Sequence, residues 1–248
     1  STCMFALALG CPPHCTSEGK EWVRPLITDP AQVRDFELPD VRTGRTGVVL
    51  RNVEEAVSRL QEQQLVREPD VQSPFGVCEL MWGEDFYVAL VEHTDAVHEL
   101  LGKVTDFIIS FVREVHGIAG EHLNAVGFPL IWGPSRGTML SDDSMSLLSP
   151  RMHAEFSLPY LNRIADAVGP LYYHSCTWRT QYFENIHSVH NCAALNWNPG
   201  NSEDTAVIIR EFSGSAVLTP HITAEMHRDN DLLAFGFEDE VSLLRYMV

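Results

Sequence analysis

His174 and Cys176 stand two positions apart at the end of the apolar run Leu171-Tyr172-Tyr173. If that run is a strand, alternate side chains leave the same face, and an imidazole and a thiol converge on one point. Imidazole nitrogen and thiolate together suit Zn²⁺, and a catalytic zinc takes three protein ligands and keeps a fourth position open. The third ligand has to come from elsewhere, with His221, Cys192 or a residue outside the numbered chain as candidates. A packed histidine beside a small buried thiol would leave the same trace in the sequence.

Other strand ends are polar in ways a core does not require. Ser73 ends one, Asp142 and Asp143 end another, Asn196-Trp197-Asn198 a third, and His221 a fourth. Polar groups at successive strand ends mark the pocket of a parallel α/β fold. At least one of Asp142 and Asp143 is expected to face that pocket, to bind a cationic or hydroxylic group or to move a proton. Both acids also precede a helix, where a capping or solvated role is open. Ser73, Trp82, Tyr87, Trp178, Asn196 and His221 are the candidate substrate-binding residues. The aromatic set Trp82, Phe86, Tyr87, Trp132 and Trp178 is able to wall an apolar pocket, with core packing the alternative for Phe86. His187, His190 and His227 lie in or beside helices and read as surface residues.

These residues must be held by alternating strands and helices. The opening apolar stretch through Gly10 reads as a strand entered part-way, and residues 11–47 as a Pro- and Gly-rich excursion over one barrel mouth. Asn52 is expected to cap a helix with Val53, Ala56, Val57 and Leu60 inward. A strand over Asp70–Phe75 leads into helices over Glu84–Val91 and from Thr94, as cap, to about Ile118. Strands are expected from Ala125 to Trp132 and over Gly137–Asp143, then a helix opening at Ser149-Pro150 and running to Val168. Strand Leu171–His174, helix Phe183–Val189, strand Ala193–Trp197, helix Glu203–Phe212, strand Ser215–Pro220 and a helix from Val241 complete the pattern. About six strands emerge against the eight of a closed (β/α)8 barrel, so the expectation is one TIM-like α/β barrel domain over 1–248, with first and last strands outside the numbering.

The bulk composition limits the partners. Acidic residues outnumber basic ones, 34 to 17, giving a formal net charge of −17. No basic cluster stands against it, which argues against nucleic acid and anionic membrane surfaces. No apolar stretch reaches the roughly 20 residues of a bilayer span, and the first ten residues lack the basic region of a secretory signal. Six irregularly spaced cysteines in a 248-residue chain read as reduced thiols of a cytoplasmic protein. Homo-oligomerisation is open.

The chain resembles the uroporphyrinogen decarboxylase superfamily. The resemblance lies in Ser141-Asp142-Asp143, Leu148-Ser149-Pro150-Arg151-Met152-His153-Ala154-Glu155-Phe156, Leu158-Pro159-Tyr160 and Tyr173-His174-Ser175-Cys176. Pro69-Asp70-Val71-Gln72-Ser73-Pro74 and Ala194-Leu195-Asn196-Trp197 add to it. That resemblance implies a (β/α)8 barrel and one of two chemistries. Decarboxylases of the superfamily work on a tetrapyrrole without a cofactor, using an aspartate and an arginine-rich segment that would precede Ser1. Zinc-dependent methyltransferases move a methyl group between a corrinoid protein and a thiol or another acceptor. Their branch carries His-x-Cys at this strand end, which His174 and Cys176 match, and a later cysteine that would fall beyond Val248.

The resemblance therefore points first to a methyltransferase using Zn²⁺ and a corrinoid, carried by a partner protein or met as a free small molecule. His174 and Cys176 would hold the metal, and Asp142 or Asp143 would serve catalysis by orienting a ligand or supporting the metal shell. A tetrapyrrole decarboxylase is the alternative, although Asp142 and Asp143 would repel a substrate bearing many carboxylates. A non-catalytic barrel that binds a corrinoid or methyl-donor protein is the third reading.

Overall fold

The computed structural model describes residues 2–62, 64–126 and 136–220. Met4–Ala8 forms helix α1, and strands β1 (Pro13–Cys15) and β2 (Glu21–Val23) make an antiparallel hairpin. Helices α2 (Ala31–Asp35) and α3 (Gly44–Ser58) lead to two short strands, β3 (Val66–Arg67) and β4 (Val71–Gln72). Helices α4 (Pro74–Trp82), α5 (Asp85–Glu92) and α6 (Thr94–Ala119) precede β5 (Leu123–Asn124) and β6 (Thr138–Ser141). Then come α7 (Pro150–Phe156), α8 (Leu158–Val168), β7 (Leu171–Ser175), α9 (Phe183–His187), β8 (Cys192–Trp197), α10 (Thr205–Phe212) and β9 (Val217–Leu218).

Strands β4, β6, β7, β8 and β9 form one sheet in that order, and each neighbouring pair is parallel. A second parallel pair joins β3 to β5. Parallel neighbours that follow one another in sequence need a crossover each, and the intervening helices supply them. The result is a mixed α/β fold with a parallel sheet.

The long helix α6 is central to the core and packs against α3, α4, α5 and α8. That helix buries Val97, Leu100, Leu101, Val104, Phe107, Ile108, Phe111, Val112 and Val115. The spacing of three and four is one face of a helix, and each large apolar side chain so removed from water contributes roughly 1.5–3 kcal/mol.

Several local expectations are corrected. The opening stretch is a helix and not a strand: Phe5 of α1 packs edge-on against Phe107 and Phe111 of α6. A short apolar run fits either element, and only packing decides. The excursion over 11–47 contains the β1–β2 hairpin and α2. Asn52 lies inside α3 and does not cap it, because the helix begins at Gly44. Gly47 is there because the helix passes against the preceding turn, where a Cβ would sit 2.1 Å from the Arg42 carbonyl oxygen. His93 takes the capping position expected of Thr94, whose hydroxyl donates to the Leu90 carbonyl at 2.9 Å. The helix expected from Ser149 to Val168 breaks at Ser157 into α7 and α8, while Ser149 caps α7 through the Met152 N–H. The strand expected from Ala125 pairs at Leu123–Asn124 instead, and its remainder, with Trp132, lies outside the described residues. So do His221, His227 and the helix from Val241.

Gly137 sets the entry to β6. Its φ is +84°, and a Cβ there would meet the Pro170 carbonyl oxygen at 2.1 Å, the oxygen that accepts from the Thr138 N–H at 3.0 Å. Gly137→Ala combines a left-handed φ with a backbone clash and is expected to cost at least about 2 kcal/mol in urea unfolding. Ala at Gly214, whose φ is also positive but which has open space, should cost less.

Candidate metal centre

Parallel register carries the site. Gln72 of β4 pairs with Ser141 of β6, Ser141 with His174 of β7, and His174 with Asn196 of β8. Partners in a parallel ladder present their side chains on the same face, so four polar residues form one layer across four strands.

The chain turns sharply after Ser141. Asp142 goes inward, with no exposure. Its carboxylate accepts from the Ser73 hydroxyl at 2.7 Å, the Ser157 hydroxyl at 2.9 Å and the Tyr173 hydroxyl at 2.9 Å. His153 Nε2 stands 3.6 Å away, and its Nδ1 accepts from the Asn185 amide at 3.1 Å, which turns the Nε2 hydrogen toward Asp142. Burial alone would raise the Asp142 pKa, but His153, Ser73 and Ser157 outweigh it and hold the carboxyl below its ordinary range.

Asp143 goes the other way, its side chain half exposed. Its Oδ1 accepts from the Cys176 N–H at 2.6 Å and lies 3.5 Å from His174 Nε2. Cys176 Sγ is 3.4 Å from the same nitrogen. One ligand atom from each of Asp143, His174 and Cys176 falls within 4.8 Å of the others. His174 is oriented from the neighbouring strand: Nδ1 donates to Asn196 Oδ1 at 2.6 Å, and the Asn196 amide donates to the Thr219 carbonyl. Nε2 therefore presents its lone pair toward Asp143 and Cys176. Burial first, then the Asp143 carboxylate, pushes the Cys176 thiol up to about 11.

Two of the three donor separations match a tetrahedral cation. Zinc bonds of about 2.0–2.3 Å at tetrahedral angles separate ligand atoms by roughly 3.3–3.7 Å, and the two nearest separations here are 3.4 and 3.5 Å.

A cavity of about 330 Å³ opens beside the triad, lined in part by Asp143, His174, Gln72, Asp70 and Glu68. Ser73, Trp82, Tyr87 and Trp178 do not line it. Ser73 caps α4 through the Gly76 N–H while donating to Asp142. Trp82 packs on Phe86, the Tyr87 hydroxyl donates to Glu79 at 2.8 Å, and Trp178 is buried against Tyr173 and Phe212. Asn196 acts on His174 from the next strand within the layer, and His187 and His190 are exposed. The sequence patterns reach Asp70 only as part of the Pro69–Pro74 motif and its strand, and do not reach Glu68. The signal for both acids is alternation, Glu68-x-Asp70-x-Gln72, at the inner side of an extended segment.

No family model matches the sequence, and no curated protein matches it. The fold is similar to that of a solved methyltransferase from Methanosarcina mazei, with a TM-score of 0.70 at 14% identity. The match covers 88% of this chain and 61% of that structure, so the chain spans about three fifths of its length. At that identity the likeness is one of fold.

The two adjacent acids should behave differently. Asp142→Asn leaves hydroxyl and imidazole donors facing an amide in a dry interior and is expected to cost about 2–4 kcal/mol in urea unfolding. Asp143→Asn, at the half-exposed rim, should shift stability by less than about 0.5 kcal/mol. Glu68 supplies the pH dependence. Burial holds its pKa well above the ordinary carboxyl value, despite hydrogen bonds from Thr138 and Met139 that work in the opposite direction. The folded state therefore keeps a proton that the unfolded state gives up, and Glu68 contributes a loss of stability as pH rises above about 4.3. Denaturation midpoints between pH 5 and 8 should show that fall in the wild type and a shallower one in Glu68→Gln.

Proposed function

We propose that the chain forms most of a (β/α)8 barrel and acts as a zinc-dependent methyltransferase, moving a methyl group between a corrinoid and a thiol or similar acceptor. The observation that carries the reading is the convergence of unlike donors from two adjacent strand ends, Asp143, His174 and Cys176, at the wall of an open cavity. The sequential parallel strands and the fold likeness to a methyltransferase support it. A decarboxylase that works without a cofactor has no use for such a donor set.

In this reading His174 and Cys176 hold the metal and Asp143 supplies the third donor, where the superfamily resemblance implies a later cysteine. Bound zinc supplies a Lewis acid that keeps a thiol as thiolate near neutral pH. Asn196 fixes which imidazole nitrogen faces the cation, and Asp143 holds the Cys176 backbone through its N–H. The cavity is where the acceptor enters. The corrinoid reaches the site on a partner protein or as a free molecule.

Zinc content and Co²⁺ titration of the purified chain test this. One zinc per chain is expected, with a thiolate-to-cobalt absorption band that disappears in His174→Ala and Cys176→Ala. Asn196→Ala, which removes the orienting acceptor together with its bond to the Thr219 carbonyl, should weaken metal binding about 10–100-fold. A protein that takes up neither ion, or single variants that retain it fully, would leave at most a binding barrel without catalysis.

A further inference from the structure

The cavity beside the triad reaches a carboxyl that the metal does not use. Glu68 lines it and is only 2% exposed. Its Oε2 accepts from the Thr138 hydroxyl at 2.9 Å and the Met139 N–H at 3.1 Å. Among the described residues its Oε1 is buried with no hydrogen-bond partner. His116 Nε2 comes within 3.8 Å of that oxygen but donates to the Gly137 carbonyl at 2.8 Å. A buried polar oxygen left this way invites a donor from a ligand.

We propose that this cavity binds a small alkylammonium ion, its charged nitrogen donating to Glu68 Oε1 and its carbon chain directed toward Asp143 and His174. The lining favours that charge. Three carboxyl groups, Glu68, Asp70 and Asp143, stand against the guanidinium of Arg67; Asp70, Asp143 and Arg67 are all exposed, where water screens them, and of these four Glu68 is the one buried charge-bearing group. The net charge of −17 adds a long-range field of the same sign. A volume of about 330 Å³ suits a small molecule. A neutral alcohol would satisfy the oxygen, but only a cation also stabilises the ionised carboxylate that burial otherwise disfavours. An anion meets repulsion from the carboxylates of Asp70 and Asp143 in the lining. The inference rests on reading this cleft as the substrate site and names the class of its ligand; it does not require the metal to be bound.

The test is calorimetric titration of the full chain at pH 7 with butylammonium chloride, 1-butanol and sodium butyrate, each with zinc present and after chelation. Butylammonium is expected to bind at least about tenfold more tightly than either other probe. Glu68→Gln, which can still accept from Thr138 and Met139, should lower that affinity about tenfold while keeping its zinc. Cys176→Ala, outside the cavity lining, should lose zinc and keep butylammonium binding, so failure of the metal reading and failure of this one are separable. Equal binding of 1-butanol, preference for butyrate, no binding of butylammonium, or undiminished binding by Glu68→Gln would overturn the proposal. Should Glu68→Gln not fold, the ranking of the three probes on the wild type decides alone.

Discussion

The site is organised around a charge that never reaches solvent. Asp142 carries its carboxylate into the interior and is compensated there by Ser73 at the start of α4, Ser157 between α7 and α8, Tyr173 of β7 and His153 of α7. Taking a carboxylate out of water is costly, and only several well-placed donors make it tolerable. Those donors come from four places in the chain, so meeting the carboxylate's needs also fixes how three helices and a strand meet. The geometry has a second effect. With Asp142 drawn inward, the next residue leaves the strand end on the other side, and Asp143 arrives at the rim beside His174 and Cys176. The buried acid does the positioning, and its neighbour is available for chemistry.

Lateral register does the rest. Gln72, Ser141, His174 and Asn196 stand side by side because four parallel strands pair without slippage at that height. A one-residue slip of β7 would turn His174 to the opposite face and bring Tyr173 in its place. The irregularity between Leu171 and Tyr172, where β7 pairs with β8, lies at the far end of the strand and leaves this layer in step. Asn196 then locks the imidazole from the adjacent strand by accepting from Nδ1.

Much of the candidate centre was legible because it depends on periodicity. His174-x-Cys176 needs only the two-residue repeat of a strand, and the structure brings both side chains to one point. Alternating strands and helices were likewise readable between Gly137 and Leu218, where each element is short and sharply bounded. The third donor was not legible. Asp143 and His174 are 31 positions apart, and their approach depends on the register between β6 and β7, which no local pattern encodes. Nor could composition say which of two adjacent acids would be buried. The aromatic residues misled for a related reason: Trp82 and Tyr87 sit in helices, where their direction follows a 3.6-residue period and the packing of α4 on α5. Helix α1 was read as a strand because apolar content alone does not distinguish the two.

The electrostatics of the cavity raise a question of compatibility between a metal at one end and an ammonium at the other. Cys176 is held protonated by burial and by the Asp143 carboxylate, so taking up a cation and losing the thiol proton are one event. Glu68 lies four residues before Gln72, so the two ends are on the order of 10 Å apart by strand rise. Two unit charges at that separation repel by roughly 1–2 kcal/mol at an effective dielectric of about 20. Each end carries its own acid, Asp143 beside the metal donors and Glu68 beside the ammonium, with Asp70 between them in sequence and in the lining. An acid at each end, within a few ångströms of the cation it faces, offsets a repulsion acting over the full length of the cavity. The same excess of carboxylates that would make a polyanionic ligand unfavourable would let two cationic groups share one cleft.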